Sequence, residues 1–373
     1  MPMQGGGTEI KMKKIYINGR CLERNLTGVE RYTLSILSEF DTILDEEKYD
    51  KYEVILLVSS ALRYSLHYKN ISIVQKGRFT GVVWEQFELP YFSRDGYLLS
   101  LHSIAPLLKV HQMLVMHDAK MARKNDIDLS EFSRLFYYGL NVLLGKTMSK
   151  IITISNFAKH DLIEGFGISP DKITVILNGV DTDAFKIKAQ ETENRWNLSK
   201  GRFVLGVGGG TTKNNTLTAQ AVEKLDRDDI FFVLAGNVAP AVKERLNSMP
   251  HTIMLGKVSD TELIWLYQNA LCLGFPSLVE GFGLPPVEAM AAGIPVIASR
   301  CQAIPEVCGE AAIYIDADNT EEMKNAIEAL ISDEDFRMTL VNKGYENIKR
   351  FNWHITATKI LNLVCDEIES IHK

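Results

Sequence analysis

Short apolar runs alternate with longer amphipathic stretches along this chain, and the alternation is played out twice. Lys14–Asn18 predicts a strand, with Ile15 and Ile17 on one face. A turn through Asn25-Leu26-Thr27-Gly28 follows. Thr27 is placed to cap a helix over Val29–Phe40, whose apolar residues recur at helical spacing. Tyr52–Val58 is a continuous apolar run, the pattern of a parallel strand buried on both faces. Similar runs at Met113–Met116, Lys150–Ile154 and Ile173–Ile176 predict further strands, with a helix over Asp128–Leu144 among them. A polar stretch from Lys186 to Arg202, rich in Glu, Lys, Asn and Gln, then interrupts the pattern and reads as a linker.

The alternation restarts at Phe203. Strands are expected at Phe203–Val207, Ile230–Leu234, Thr252–Leu255, Leu271–Phe275, Pro295–Ala298 and Ala312–Ile315. Helices are expected at Leu217–Leu225, Ala239–Met249, Thr261–Ala270 and Pro286–Ala292, and long helices close the chain. Such alternation builds parallel sheets with helices on both faces. The predicted fold class is therefore α/β, with two doubly wound halves over 1–185 and 186–351. The Gly-rich, polar residues 1–12 are expected to be disordered. Doubly wound sheets bind ligands at the carboxyl ends of their strands. A cleft between two such halves is where an active site is expected.

Composition narrows the class. The 373 residues fit two domains at roughly 100–200 residues each. A formal net charge of -6 argues against a general nucleic-acid binder, which needs a basic face. The acidic excess falls in the second half, so a basic patch facing anionic lipid stays open for the first. Cys21, Cys272, Cys301, Cys308 and Cys365 are scattered, without a CxxC pair, which speaks against a disulfide framework or a zinc site. The start lacks a secretory apolar region, and no run approaches the ~18 apolar residues of a membrane span, so a cytoplasmic protein is expected. The sequons at Asn25, Asn70 and Asn197 then read as chance matches.

Four motifs carry candidate chemistry. In Glu280-Gly281-Phe282-Gly283-Leu284-Pro285-Pro286-Val287-Glu288, the glycines leave backbone amides bare and the prolines suit a first helical turn. Amides at that helix start would receive an anionic or hydroxyl-rich ligand, and each glutamate can accept two sugar hydroxyls. Spacing alone leaves open that the glycines serve turns and the glutamates are solvated. The run Gly206-Val207-Gly208-Gly209-Gly210-Thr211-Thr212-Lys213 links a strand to a helix, the usual place for a phosphate. Lys213 there would stabilise charge developing on a departing diphosphate, unless it is a plain surface lysine. Gly28-Val29 with Arg31-Tyr32 follows the first strand, and a simple left-handed turn is the plain alternative. His117, with Asp118 to orient it, could position or deprotonate an acceptor hydroxyl, or could be structural.

The segment FPSLVEGFGLPPVEAMAAGIPVIAS resembles the donor-binding signature of retaining family 4 glycosyltransferases, which have the GT-B fold of two Rossmann-like domains facing across a cleft. The resemblance implies transfer of a hexose from a nucleoside diphosphate sugar to an acceptor hydroxyl, with retention. It assigns the ribose hydroxyls to Glu288, and the donor sugar to Glu280 with the loop Gly281, Phe282, Gly283 and Leu284. It places Lys213, Gly209 and Gly28 near the donor phosphates, and Gly236 and Val258 by the base. His117 and Asp118 match the family's histidine–aspartate pair, and His117, Asp118, Lys213 and Glu280 become the implied catalytic set. The donor phosphate itself is expected to take the acceptor's proton. The family usually has an Arg–Lys pair where this chain has Thr212-Lys213, which leaves the arginine's role without an assigned residue. Trp84-Glu85-Gln86 and Leu101-His102-Ser103 resemble the branch of mannosyl- and rhamnosyltransferases of surface polysaccharide assembly, so GDP-mannose is the leading donor. Ser155 and Asn178-Gly179-Val180-Asp181 match further landmarks, and Phe351-Asn352-Trp353 resembles the point where a last helix, 352–373, returns to the first domain.

The expected donor is a co-substrate, and no cofactor or metal is expected. Asp126-Ile127-Asp128, Asp181-Thr182-Asp183, Asp226-Arg227-Asp228 and Asp316-Ala317-Asp318 match the short D-x-D pattern of metal-dependent transferases, a cheap pattern in an acidic chain. A sugar or lipid-linked saccharide is the expected acceptor, and a lipid-linked one would bring peripheral contact with the inner face of a membrane. Three competitors remain. A nucleotide-sugar epimerase would consume donor without acceptor, and a non-catalytic binder would bind donor but neither transfer nor slowly hydrolyse it. An NAD oxidoreductase is disfavoured, since G-x-G-x-x-G would need glycine at Thr211.

Overall fold

The run Tyr52–Val58 is buried along nearly its whole length because it becomes β2, with a parallel strand on either side. In the computed structural model, residues 12–23, 28–62, 65–123, 130–187, 189–190 and 194–371 are described. Residues 1–11 of the predicted lead 1–12, the Thr27 cap with residues 25–27 of the turn 25–28, and Asp126-Ile127-Asp128 lie outside the described residues. The chain divides into two units, one of 1–154, 159–177 and 353–373, the other of 155–158 and 178–352.

The first unit is a seven-stranded parallel sheet. Its strands are β1 (Lys13–Asn18), β2 (Tyr52–Val58), β3 (Ile71–Gln75), β4 (Tyr97–Ser100), β5 (Gln112–Val115), β6 (Ile151–Thr153) and β7 (Ile173–Val175), ordered β3-β2-β1-β4-β5-β6-β7. Strands β3 and β4 were not legible as runs. The first is a half-exposed edge, and the second has four residues, too few for a period to show. Helix α1 (Gly28–Ile43) buries Tyr32, Ile36, Leu37, Phe40 and Ile43, the stripe expected of a helix with one face on a core. Between β3 and β4 the chain winds through α2 (Gly81–Val83), a π-helical turn (Trp84–Glu88) and α3 (Leu89–Phe92). Then come α4 (Glu131–Thr147), capped by Ser130, and α5 (Asn156–Phe166).

The second unit has six parallel strands: β8 (Phe203–Gly209), β9 (Phe231–Val238), β10 (Thr252–Gly256), β11 (Cys272–Phe275), β12 (Val296–Ser299) and β13 (Ala312–Ile315). Their order is β10-β9-β8-β11-β12-β13. Its helices are α6 (Thr182–Lys186), α7 (Asn215–Glu223), α8 (Pro240–Leu246), α9 (Asp260–Asn269), α10 (Leu284–Ala292), α11 (Ile304–Cys308), α12 (Thr320–Ser332) and α13 (Glu334–Ile348). A reciprocal cap between Ser259 and Glu262 starts α9 where the sequence supplies S-x-x-E. Helix α14 (Trp353–Ile371) closes the chain and packs on α1, inside the first unit.

Candidate functional site

The residues singled out in the second half lie at or beyond the carboxyl ends of neighbouring parallel strands. Strand β8 ends at Gly209, β9 carries Gly236 near its end, Val258 follows β10, and the loop after β11 carries Glu280–Gly283. The sheet order reverses between β8 and β11, because later strands are added outward on both sides of that pair. Loops leaving two such strands diverge, and ligands of doubly wound sheets sit there.

Lys213 and Glu280 meet at this reversal. Lys213 closes a short 3-10 turn, Thr211–Lys213, and Asn214 adopts the left-handed region at φ 53° to turn the chain into α7. The ammonium pairs with Glu280 Oε1 and lies 5.1 Å from the centre of the Phe275 ring. The two loops are tied by Leu278 N donating to Thr212 O at 2.8 Å. The Glu280 amide donates to Gln302 Oε1 at 2.7 Å, and Gln302 itself holds φ at 46°. A side-chain-bearing residue held in that region is strained, and the surrounding structure must hold it there. The ion pair offers a cation to phosphate oxygens and an acceptor to sugar hydroxyls.

Gly283 is required by geometry. Its φ is 94°, and a Cβ there would stand 2.5 Å from Ile304 Cδ1. Leu284 opens α10 with prolines behind it, as the lack of amide protons in Pro285 and Pro286 predicts. The Phe282 ring is buried edge-on against Phe351 at 5.6 Å, which leaves its backbone, not its ring, for a ligand. Ser155 Oγ donates to Gly281 O at 2.9 Å and steadies this loop from within the same unit. Glu288 lies one turn into α10, where Oε2 accepts from the Tyr267 hydroxyl at 2.7 Å. Tyr267 and Gln302 were missed in the sequence. Each touches the site through a partner about 20 residues away, and no local pattern marks such a pair.

Gly209 has a reason beyond ligand access. A Cβ on it would lie 2.4 Å from Asn237 O and 2.5 Å from Val238 Cα, both backbone atoms of β9. No side chain can yield there, so Gly209→Ala is expected to cost about 1–3 kcal/mol by overpacking. The check is a lower melting temperature without added ligand; an unchanged value would show that the two strand ends can part to admit a methyl group. Gly236 faces Gly208 across the same strand pair.

The first unit corrects one expectation and removes one alternative. Gly28 is the first residue of α1, has no left-handed φ, and a Cβ there would meet nothing within 4 Å. The plain alternative, a left-handed turn at Gly28, is thereby set aside, and its backbone stands in open space. His117 is buried beyond β5, but Asp118 does not orient its ring. The ring Nε2 lies 3.1 Å from Leu101 O, and the Tyr32 ring packs edge-on at 4.8 Å. Asp118 instead accepts from the amide of Lys120 and pairs with its ammonium. Burial lowers the His117 pKa, so near neutral pH the ring is neutral, with Nε2 donating to the carbonyl and Nδ1 able to accept.

A buried charge cluster lies at the reversal of the first sheet, between β1 and β4. Glu85, turned inward by the π-helical turn, accepts from Asn18 Nδ2 at 2.7 Å and lies 2.9 Å from His102 Nε2 and 3.1 Å from Arg20 Nε. Glu85 Oε2, Arg20 Nη2 and His102 Nδ1 have no hydrogen-bond partner among the described residues. Sequence reasoning treated Glu85 and His102 as landmarks of a branch and gave them no chemistry.

Residues 188–347 match the family model "Glycosyl transferases group 1", and residues 89–184 match "Glycosyltransferase Family 4". The chain is similar to the O-antigen chain mannosyltransferase RfbU of Salmonella typhimurium, at 25% identity over 90% of this chain and 98% of that one. It is 27% identical to O-antigen chain mannosyltransferase B of Escherichia coli, over 57% of this chain and 59% of that one. Among solved structures, Anabaena Alr3699/HepE in complex with UDP and glucose superposes with a TM-score of 0.74 at 14% identity, covering 95% of this chain and 99% of that one. WaaG, a glycosyltransferase involved in lipopolysaccharide biosynthesis, gives a TM-score of 0.70 at 14% identity, over 94% and 99%. Two parallel-sheet α/β units of this kind are the GT-B fold.

Proposed function

The chain belongs to the family 4 glycosyltransferases, with a group 1 domain in its second half, and from that premise we propose that it transfers a hexose from a nucleoside diphosphate sugar to an acceptor hydroxyl with retention. The observation that carries the reading is the Lys213–Glu280 pair at the reversal of the second sheet, with Glu288 one turn into the adjoining helix. In the reaction the acceptor oxygen bonds to the anomeric carbon as the bond to the diphosphate breaks. The diphosphate leaves with the electron pair and takes the acceptor's proton. Lys213 stabilises the charge that grows on the leaving oxygens, in place of a metal. Glu280 and the amides of Gly281–Leu284 hold the sugar, Glu288 holds the ribose, and neutral His117 positions the acceptor.

Mannose from GDP-mannose is the proposed donor, and a saccharide of surface polysaccharide assembly, free or lipid-linked, the proposed acceptor. The support is the names of the mannosyltransferase relatives. HepE is described with UDP and glucose, so UDP-sugars belong in the test. A panel of nucleoside diphosphate sugars is expected to raise the melting temperature selectively, because a ligand that binds only the folded state stabilises it. Glu288→Ala is expected to weaken the best donor by about 10–100-fold, the worth of hydrogen bonds to a charged group, and to leave kcat nearly unchanged. Donor affinity equal to wild type would remove Glu288 from the site. Consumption of donor without any acceptor would favour the epimerase reading.

A further inference from the structure

The loop proposed to hold the donor sugar, 277–283, hangs from a segment to which no sequence motif was assigned. That segment is 299–304, the end of β12 and the start of α11. Ser299 Oγ donates to Ser277 O at the beginning of the loop. Glu280 N donates to Gln302 Oε1 at 2.7 Å, and Ala303 N donates to Glu280 O at 3.4 Å. Ile304 closes the row, for a Cβ on Gly283 would stand 2.5 Å from its Cδ1. One short stretch thus meets the loop at its start, at Glu280 and at its last glycine.

Glu280 is anchored from two directions. Strand β11 lies between β8 and β12 in the sheet. The Glu280 carboxylate pairs with Lys213 from the loop after β8, while both of its backbone groups bond to the segment after β12. Lys213 alone fixes the direction of the side chain but not the place of the backbone that carries it. The Ala303 bond is long for an N–H···O contact, so Gln302 supplies the stronger of the two backbone ties.

Gln302 makes this bond from an unfavourable backbone position. Its φ is 46°, in the left-handed region where a side chain is strained and glycine is not. Backbone preference by itself would place glycine at 302. Glycine, however, has no side chain to accept from the Glu280 amide. A strained residue whose side chain orders a ligand-holding one is the arrangement of a site made ready before its ligand arrives.

We propose that Gln302 is a positioning residue for sugar transfer: it holds Glu280 where the carboxylate meets the sugar hydroxyls, against the backbone preference of its own turn. The inference rests on the donor-site reading and deepens it. Gln302→Gly and Gln302→Ala separate position from stability, since both lose the bond to Glu280 but only glycine relieves the strain. Three quantities are measured on the full chain. They are slow hydrolysis of the panel of nucleoside diphosphate sugars, GDP-mannose and UDP-glucose included, with water as acceptor; affinity for GDP and UDP alone; and melting temperature. Both variants are expected to hydrolyse the preferred donor about tenfold more slowly, because a misplacement of about 1 Å can cost up to a hundredfold. Free diphosphate is expected to bind as it does to the wild type, since Lys213 and Glu288 stay in place. Gln302→Gly is expected to melt about 2–4 °C above Gln302→Ala. Equal loss of rate in variants of unequal stability is a result that a purely structural role would not give. Wild-type hydrolysis by Gln302→Gly overturns the inference alone, as does a rate that follows melting temperature from one variant to the other. Failure of the wild type to bind or hydrolyse any sugar of the panel overturns the donor-site reading, and the inference with it.

Discussion

Lys213→Ala is expected to lower kcat by about a hundred- to a thousandfold, the usual cost of removing one preorganised group that faces developing charge. The ammonium sits at the sheet reversal, held by Glu280 and backed by the Phe275 ring, so its position is set before any ligand arrives. Phosphate oxygens gain most from it as the bond to the sugar breaks, so the loss belongs in kcat more than in KM. The substitution also leaves the largely buried Glu280 without its partner, so folding must be checked beside rate. Lys213→Arg separates the two effects: it keeps the charge for Glu280 but presents a planar fork in place of a compact ammonium. Steady-state kinetics with saturating acceptor decide the matter. Wild-type kcat in Lys213→Ala would refute the role proposed for this residue.

Glu85→Ala is expected to destabilise the first unit by about 3–5 kcal/mol, because it strands buried cations that no water reaches. Arg20 and His102 are both buried and both lean on Glu85 Oε1. Burial works to raise the Glu85 pKa, yet His102, then Arg20 and Asn18, hold it below the ordinary carboxylate range. Burial likewise works to lower the His102 pKa, and Cys21 and Glu85 beside it raise it instead. The signs define a window. A depressed carboxylate contributes stability above its unfolded value of about 4.3 and loses it as acid protonates the folded group. A raised histidine contributes fully below about 6.5 and loses that contribution as pH climbs through its folded value. The wild type should therefore exceed Glu85→Gln most between those limits, with the gap narrowing on both sides. Denaturant unfolding from pH 4 to pH 8 measures it; a gap independent of pH would mean that Glu85 acts through shape alone.

How legible a residue was depended on how local its reason is. The glycine–proline run after β11 could be read directly, because left-handed φ at Gly283 and missing amide protons at Pro285 and Pro286 are properties of neighbours in the chain. The same holds for the apolar run of β2. His117 could be found but not understood, since its ring answers to Leu101 O and Tyr32 rather than to the adjacent Asp118. Glu85 was found only as a landmark, because its partners Arg20 and His102 come from two other strand ends.

By itself the sequence determined the alternation of strands and helices, hence two parallel sheets, and the loop chemistry at their carboxyl edges. Backbone conformation and amphipathic period act over a few residues, so a string of residues carries them. Only the tertiary structure decided that Lys213 faces Glu280 across 67 residues, that Gly209 is held to glycine by the backbone of β9, and that Glu85 meets Arg20 and His102 at the reversal of the first sheet. Those outcomes depend on which strands become neighbours and which side of the sheet each crossover takes, and sheet order brings together residues that share no local pattern.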